Sequence, residues 1–142
     1  MQIFYSQNSQ DTFCFAKQFA ENLKKSTVLA FFGDLGAGKT TFIRGLVEGL
    51  GIMCEVSSPT FSLVNEYRGE KNSLFHFDMY RIKTFDDLYS TGFFDYLDEN
   101  EFIAIEWSEN IENALPENYI KILIEKCEND NERKIIISES EK

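Results

Sequence analysis

Gly33-Asp34-Leu35-Gly36-Ala37-Gly38-Lys39-Thr40 matches the phosphate-binding pattern G-x-x-x-x-G-K-[ST]. Before it, Thr27-Val28-Leu29-Ala30-Phe31-Phe32 is a short apolar run of β-branched and aromatic residues and reads as a buried strand. After it, Phe42, Ile43, Leu46, Val47 and Leu50 recur at helical spacing, and Gly51 follows where a helix C-terminal glycine belongs. Strand, glycine loop and helix is the context the pattern requires. The glycines let the main chain approach a phosphate closely, and the N–H groups of 35–40, Leu35 and Ala37 among them, then converge on the anion at a helix N-terminus. Lys39 supplies a point charge to the β- and γ-phosphates, and Thr40 offers a hydroxyl to Mg²⁺. Asp34, inside the loop, either positions water or caps the turn.

The rest of the composition narrows the class. At 142 residues, 1–142 is expected to be a single domain, and 43% hydrophobic residues with 14 Phe predict a well-filled core. No apolar stretch reaches membrane-spanning length, and Met1–Gln10 lacks the form of a signal peptide, so a cytoplasmic location with no membrane partner is expected. A net charge of −10 argues against stable nucleic-acid binding by the chain alone. The acidic stretch from Asp95 to Glu112 reads as a solvated face. Cys14, Cys54 and Cys127 have no metal-ligand spacing, and with one His the expectation is reduced, mostly buried thiols rather than a zinc site.

Outward from the loop, Gln2–Tyr5 reads as a first strand, and Asn8 or Ser9 caps a helix running to about Lys24 with Phe13, Ala16, Phe19, Ala20 and Leu23 on its apolar face. Cys54–Ser57 is a brief strand broken by Pro59. Phe61–Tyr67 and Ser73–Phe77 form a hairpin, and Asp86–Thr91 is a short helix closed by Gly92, with a further turn at 93–97. Phe102–Ile105 is a buried strand ending in Glu106-Trp107, and Tyr119–Glu125 and Lys134–Ser138 are the last two strands. The expected fold is α/β: a P-loop NTPase-like sandwich with a mixed, mainly central sheet flanked by helices.

A triphosphate site needs a second acidic group for the metal and something to orient water. Glu106, at the C-terminal end of an apolar strand, takes the place where open α/β sheets set ligand residues, with Glu where Asp is usual. Asp78 ends its strand likewise and either binds Mg²⁺ through water or acts as base, or else caps a helix or closes a turn. His76 faces away from Phe75 and Phe77 and reads as structural before catalytic. Trp107 is the lone Trp, a core or surface aromatic or one that packs near the nucleotide or a partner. Arg81 either reaches a phosphate or partner carboxylate or forms an exposed ion pair.

The loop GDLGAGKTT at Gly33–Thr41, Ser58-Pro59-Thr60-Phe61, His76-Phe77-Asp78-Met79-Tyr80-Arg81 and Ile105-Glu106-Trp107 together resemble the bacterial TsaE family, small ATPases of tRNA threonylcarbamoyladenosine biosynthesis. The loop alone is widely shared; the four motifs in this order are specific, and the resemblance covers roughly residues 5 to 138. It implies ATP rather than GTP, Mg²⁺ held with Thr40 and Glu106, and a switch-like segment at Ser58–Phe61. It also implies a nucleotide-dependent complex with TsaB and TsaD, which modifies adenosine 37 of tRNA. Ser9 and Arg133 resemble further ATP contacts of the family, and Thr41, which ends the loop motif, is a further candidate nucleotide-binding residue. Ser108 stands where the family commonly has Pro, and Glu132-Arg133 where Gly-Arg is usual.

The mechanism expected is slow ATP hydrolysis: loop amides and Lys39 cradle the phosphates, Thr40 and Glu106 anchor the metal, and Asp78 orders its shell or the water. The chain offers no evident water-positioning glutamine or arginine finger, a group worth about 10³–10⁵ in rate, so weak hydrolysis alone and faster hydrolysis in complex are expected. Three alternatives stand beside it. A small-molecule kinase would need an acceptor pocket and an arginine-bearing lid, for which four Arg give little material. A GTPase would need the Asn-Lys-x-Asp pattern, which is absent. A docking module would use ATP only to order a surface.

Overall fold

Alternation of side chains along the strand before the glycine loop organises the whole interior. The computed structural model describes residues 1–33, 38–53, 56 and 63–140. In it Val28–Phe32 (β2) is buried at every position. Leu29 and Phe31 face one core and Val28, Ala30 and Phe32 the other, the period-two pattern of a strand covered on both faces. The remaining elements are β1 (Gln2–Ser6), α1 (Ser9–Glu21), α2 (Lys39–Gly49), β3 (Val64–Arg68), β4 (Ser73–Asp78), α3 (Phe85–Ser90), α4 (Phe93–Leu97), β5 (Phe102–Glu106), a 3-10 helix (Ser108–Ala114), β6 (Ile120–Lys126) and β7 (Arg133–Glu139).

The strands form one seven-stranded sheet in the order β1-β7-β6-β2-β5-β4-β3. The central four are parallel: β2 pairs with β5 and β6, and β4 with β5. Antiparallel hairpins close both sides, β3 on β4 and β7 on β6, with β1 antiparallel on β7. The fold is the mixed α/β sandwich that the sequence predicts, with both expected hairpins in place. One face packs under α1 and α2 around Phe31, Phe42, Ile43 and Leu46. The other packs under α3, α4 and the 3-10 helix around Phe77, Phe93 and Ile111. There the Tyr96 hydroxyl donates to Glu66 Oε2 at 2.6 Å, tying α4 to β3. That bond, with Arg68 beside it, holds the Glu66 carboxyl below its ordinary range, and the same contact pushes the Tyr96 hydroxyl up to about 12.

Asn8 caps α1, its Oδ1 accepting from Asp11 N at 2.9 Å. Several sequence expectations need correction. Phe15, left off the apolar face of α1, packs on the core and stacks on Phe4 at 4.3 Å. Cys14 is exposed and Cys127 only half-buried, because Cys14 falls on the outer face of α1. α1 stops at Glu21, where the Asn22 N–H turns back to Phe19 and Ala20. The 3-10 helix after Trp107 has no counterpart in the sequence reading. Of the brief strand expected at 54–57, only Val56 is described and it is not in a strand; Phe61 and Ser62 lie outside the described residues, and the next strand begins at Val64.

α1 and α2 approach each other over small residues. A Cβ on Gly45 would stand 2.5 Å from the Phe13 carbonyl oxygen and 2.6 Å from the Ala16 Cβ. The helix-propensity gain of Gly45→Ala, about 1 kcal/mol, is outweighed by overpacking against a backbone that cannot yield, about 1–3 kcal/mol. Gly45→Ala should therefore lower the urea midpoint of unfolding; a raised midpoint would show that the two helices are free to separate.

Candidate phosphate site at the carboxyl edge of the parallel strands

Two strand ends and one helix start meet at the same edge of the sheet. β2 leads into Gly33, whose φ is +115° and whose Cβ position lies 2.5 Å from the Ile124 carbonyl oxygen on β6. Any side chain there would be both strained and blocked. Asp34, Leu35, Gly36 and Ala37 lie outside the described residues, as does Ser58–Phe61. The chain is described again at Gly38, in left-handed backbone at φ 100°, which starts α2; the first intrahelical bond runs from Phe42 N to the Gly38 carbonyl at 3.0 Å. The N–H groups just before Phe42 thus have no partner within the helix and open toward the loop, where the helix dipole favours an anion.

Lys39 is buried, 5% exposed, in the first turn of α2. Its Nζ sits 5.0 Å from the centroid of the Trp107 ring, a cation–π contact. It makes no ion pair among the described residues. Trp107 is held by Tyr80, ring to ring at 5.0 Å, and by a backbone turned to φ 61°. Trp107 also packs against the core under α3 and α4, so the core reading of this residue holds alongside its contact with Lys39. Thr40 and Thr41 follow Lys39, both half-buried.

Glu106 closes β5. The register Ala30↔Ile105 between parallel β2 and β5, and Asp78↔Glu106 between β4 and β5, brings both acids to the edge where the loop begins. Glu106 is only 8% exposed, and its Oε2 lies 2.7 Å from His76 Nε2. Asp78 is half-buried, and its Oδ1 accepts from the Tyr80 N–H at 2.9 Å, so one oxygen closes the turn after β4. The turn role weighed for Asp78 is thus present, with the other oxygen uncommitted by that bond.

Ser9 lines a shallow cavity of about 240 Å³ with Gln10, Phe13, Thr41 and Arg44. Ser9 and Thr41 are therefore neighbours across the α1–α2 contact. Arg44, one turn beyond Thr41, joins them; its signal in the sequence is the spacing of three from Thr41 on the same helix. Arg133, at the start of β7, brings its Nε within 4.0 Å of the Cβ position of Gly38, while its Nη1 donates to the Asp130 and Glu132 carbonyls at 2.6 and 2.8 Å. Arg81 is exposed.

The donor set suits a small hard cation. Thr40, Glu106 and Asp78 offer oxygen only, and no three His, Cys, Asp or Glu cluster as a metal cage among the described residues. Such a site would leave most of the coordination shell to phosphate and water, as Mg²⁺ prefers.

Comparison with known proteins places the chain in one family. The family described as "Threonylcarbamoyl adenosine biosynthesis protein TsaE" matches residues 6–135. A Bacillus subtilis protein named "tRNA threonylcarbamoyladenosine biosynthesis protein TsaE" is 40% identical over 90% of this chain and 79% of its own length. A Rickettsia prowazekii protein of the same name is 40% identical over 86% of this chain and 85% of its own length. The crystal structure of Bacillus subtilis YdiB superposes with a TM-score of 0.79 at 34% identity, covering 98% of this chain and 84% of that one.

Because Trp107 is the sole tryptophan, its emission reports Lys39 directly. Replacing Lys39 with Met should change the emission of the ligand-free protein; identical spectra would mean that the ammonium does not rest on the ring. By the family match over residues 6–135 and the identity to these relatives, the chain belongs to the TsaE family.

Proposed function

We propose that the chain is a slow ATPase that supports threonylcarbamoyl modification of adenosine 37 in tRNA, acting in a cytoplasmic complex with TsaB and TsaD. The observation that carries this reading is the parallel pairing of β2 with β5, which sets Glu106 beside the loop that ends in buried Lys39. The tRNA pathway rests on the family's name and on relatives that bear it. No helix among the described residues is long and apolar enough to cross a membrane.

The residues divide the work as follows. The loop from Gly33 to Gly38 and the first amides of α2 cradle the phosphates. Lys39 leaves the Trp107 face for the β- and γ-phosphates, trading a contact worth about 0.5–2 kcal/mol for a charge-assisted bond to phosphate. Thr40 and Glu106 hold the divalent metal, directly or through water. Bound Mg²⁺ neutralises charge that builds on the phosphate oxygens during transfer. Asp78, through the oxygen not used by Tyr80, orders that shell or the attacking water. Ser9, Thr41 and Arg133 flank the nucleotide. Arg133 sits against Gly38, with its Nη1 donating to its own turn.

Weak turnover follows from a sequence with no evident water-positioning glutamine or arginine finger. The purified chain should hydrolyse ATP well below about 1 s⁻¹, under the usual range for phosphoryl-transfer enzymes. Adding TsaB and TsaD should raise the rate at least ~10-fold, since a missing cationic finger alone is worth more. Lys39→Ala should abolish both rates. Glu106→Ala should keep ATP binding and lose turnover. Tens of turnovers per second from the chain alone, or full support of the tRNA modification by Glu106→Ala, would overturn the enzyme reading, the second in favour of a docking module.

A further inference from the structure

A line of hydrogen bonds crosses three neighbouring strands beneath the candidate site. It starts at Asn65 on β3, whose Nδ2 donates to the Tyr67 hydroxyl at 3.3 Å. The Tyr67 hydroxyl lies 3.4 Å from His76 Nδ1 on β4. His76 Nε2 lies 2.7 Å from Glu106 Oε2 on β5. Tyr67 and His76 are buried, His76 completely, and both lie on the sheet face that α1 and α2 cover.

We propose that His76 is a positioning residue that fixes the Glu106 carboxylate for metal-nucleotide binding. An ionised carboxylate can only accept, so Nε2 carries the hydrogen and donates to Glu106. Nδ1 then takes the Tyr67 hydroxyl, and both ring nitrogens are committed. A histidine retained only for packing has no need of this partner. Here it occupies one oxygen of the acid at the end of β5 and holds the side chain in one rotamer, with the second oxygen left for the site. A ligand's outer partner of this kind typically changes metal affinity by about 10–100-fold when removed. The line also joins Glu106 to β3, an edge strand of the sheet.

This proposal rests on the reading that Glu106 serves the metal, and the experiment separates the two. The chain has one histidine, so its imidazole NMR spectrum contains a single residue. In the wild-type protein the Nε2–H resonance should be protected from exchange. It should move when a non-hydrolysable ATP analogue is added with Mg²⁺, and move less when the analogue is added with EDTA. A resonance that ignores Mg²⁺ overturns the proposal without any variant. Mn²⁺ binding to the analogue complex, read by electron paramagnetic resonance, gives the second arm. His76→Leu should weaken it about 10–100-fold, with analogue affinity in EDTA unchanged, and His76→Gln, which keeps an N–H donor, should recover most of the loss. Tyr67→Phe, which removes only the hydroxyl, should weaken it less, and serves if His76→Leu does not fold. Unchanged Mn²⁺ affinity in folded His76→Leu, or in Tyr67→Phe where His76→Leu does not fold, overturns the proposal. If Glu106→Gln also leaves Mn²⁺ affinity intact, the reading of Glu106 falls with it; if only Glu106→Gln loses affinity, that reading stands and His76 is structural.

Discussion

The backbone ladder between β2 and β5 is the constraint on which the rest depends. These two strands stand far apart in the sequence, yet parallel pairing with Ala30 opposite Ile105 brings their carboxyl ends to one edge. The glycine loop leaves from one end and Glu106-Trp107 from the other. Without that pairing Lys39 would have no Trp107 to rest on, and Glu106 would be a buried carboxylate far from any phosphate. Burial on both faces stabilises the ladder: β2 and β5 are covered at every position, and a one-residue slip would exchange the two cores.

The site is assembled from polar side chains that the core would otherwise exclude. Lys39, His76 and Glu106 are each under a tenth exposed, and burying such groups unpartnered costs several kcal/mol. Each has a contact that offsets this: Lys39 the Trp107 ring, and His76 and Glu106 one another. No fully buried side-chain nitrogen or oxygen among the described residues is left without a hydrogen bond. The acid and the imidazole meet in a buried contact of 2.7 Å. Lys39 rests on a ring face, with its Nζ 5.0 Å from the Trp107 centroid.

Much of this was legible in the sequence because it is local. The strand and helix that flank the glycine loop, the β3–β4 and β6–β7 hairpins and the strand before Glu106 follow from turn residues and from periods of 2 and 3.6. What escaped is what depends on register between distant strands or on packing. That Phe15 rather than Phe13 meets the core is decided by Phe4 on β1, a partner that helical spacing does not name. His76 was readable as facing away from Phe75 and Phe77, but its bond to Glu106 exists only because β4 and β5 pair in parallel with His76 opposite Ala104. The 3-10 helix after Trp107 lacks a periodic apolar face, and its start rests on positive φ at a tryptophan, which propensity disfavours.

The central claim is that this edge grips a triphosphate through the loop amides and Lys39. Isothermal calorimetry with ATP and Mg²⁺, repeated in the presence of excess Mg²⁺-tripolyphosphate, tests it most directly. The account predicts a saturable heat that tripolyphosphate suppresses by competition. A folded protein that gives no heat with ATP, or a heat that tripolyphosphate leaves untouched, would contradict it.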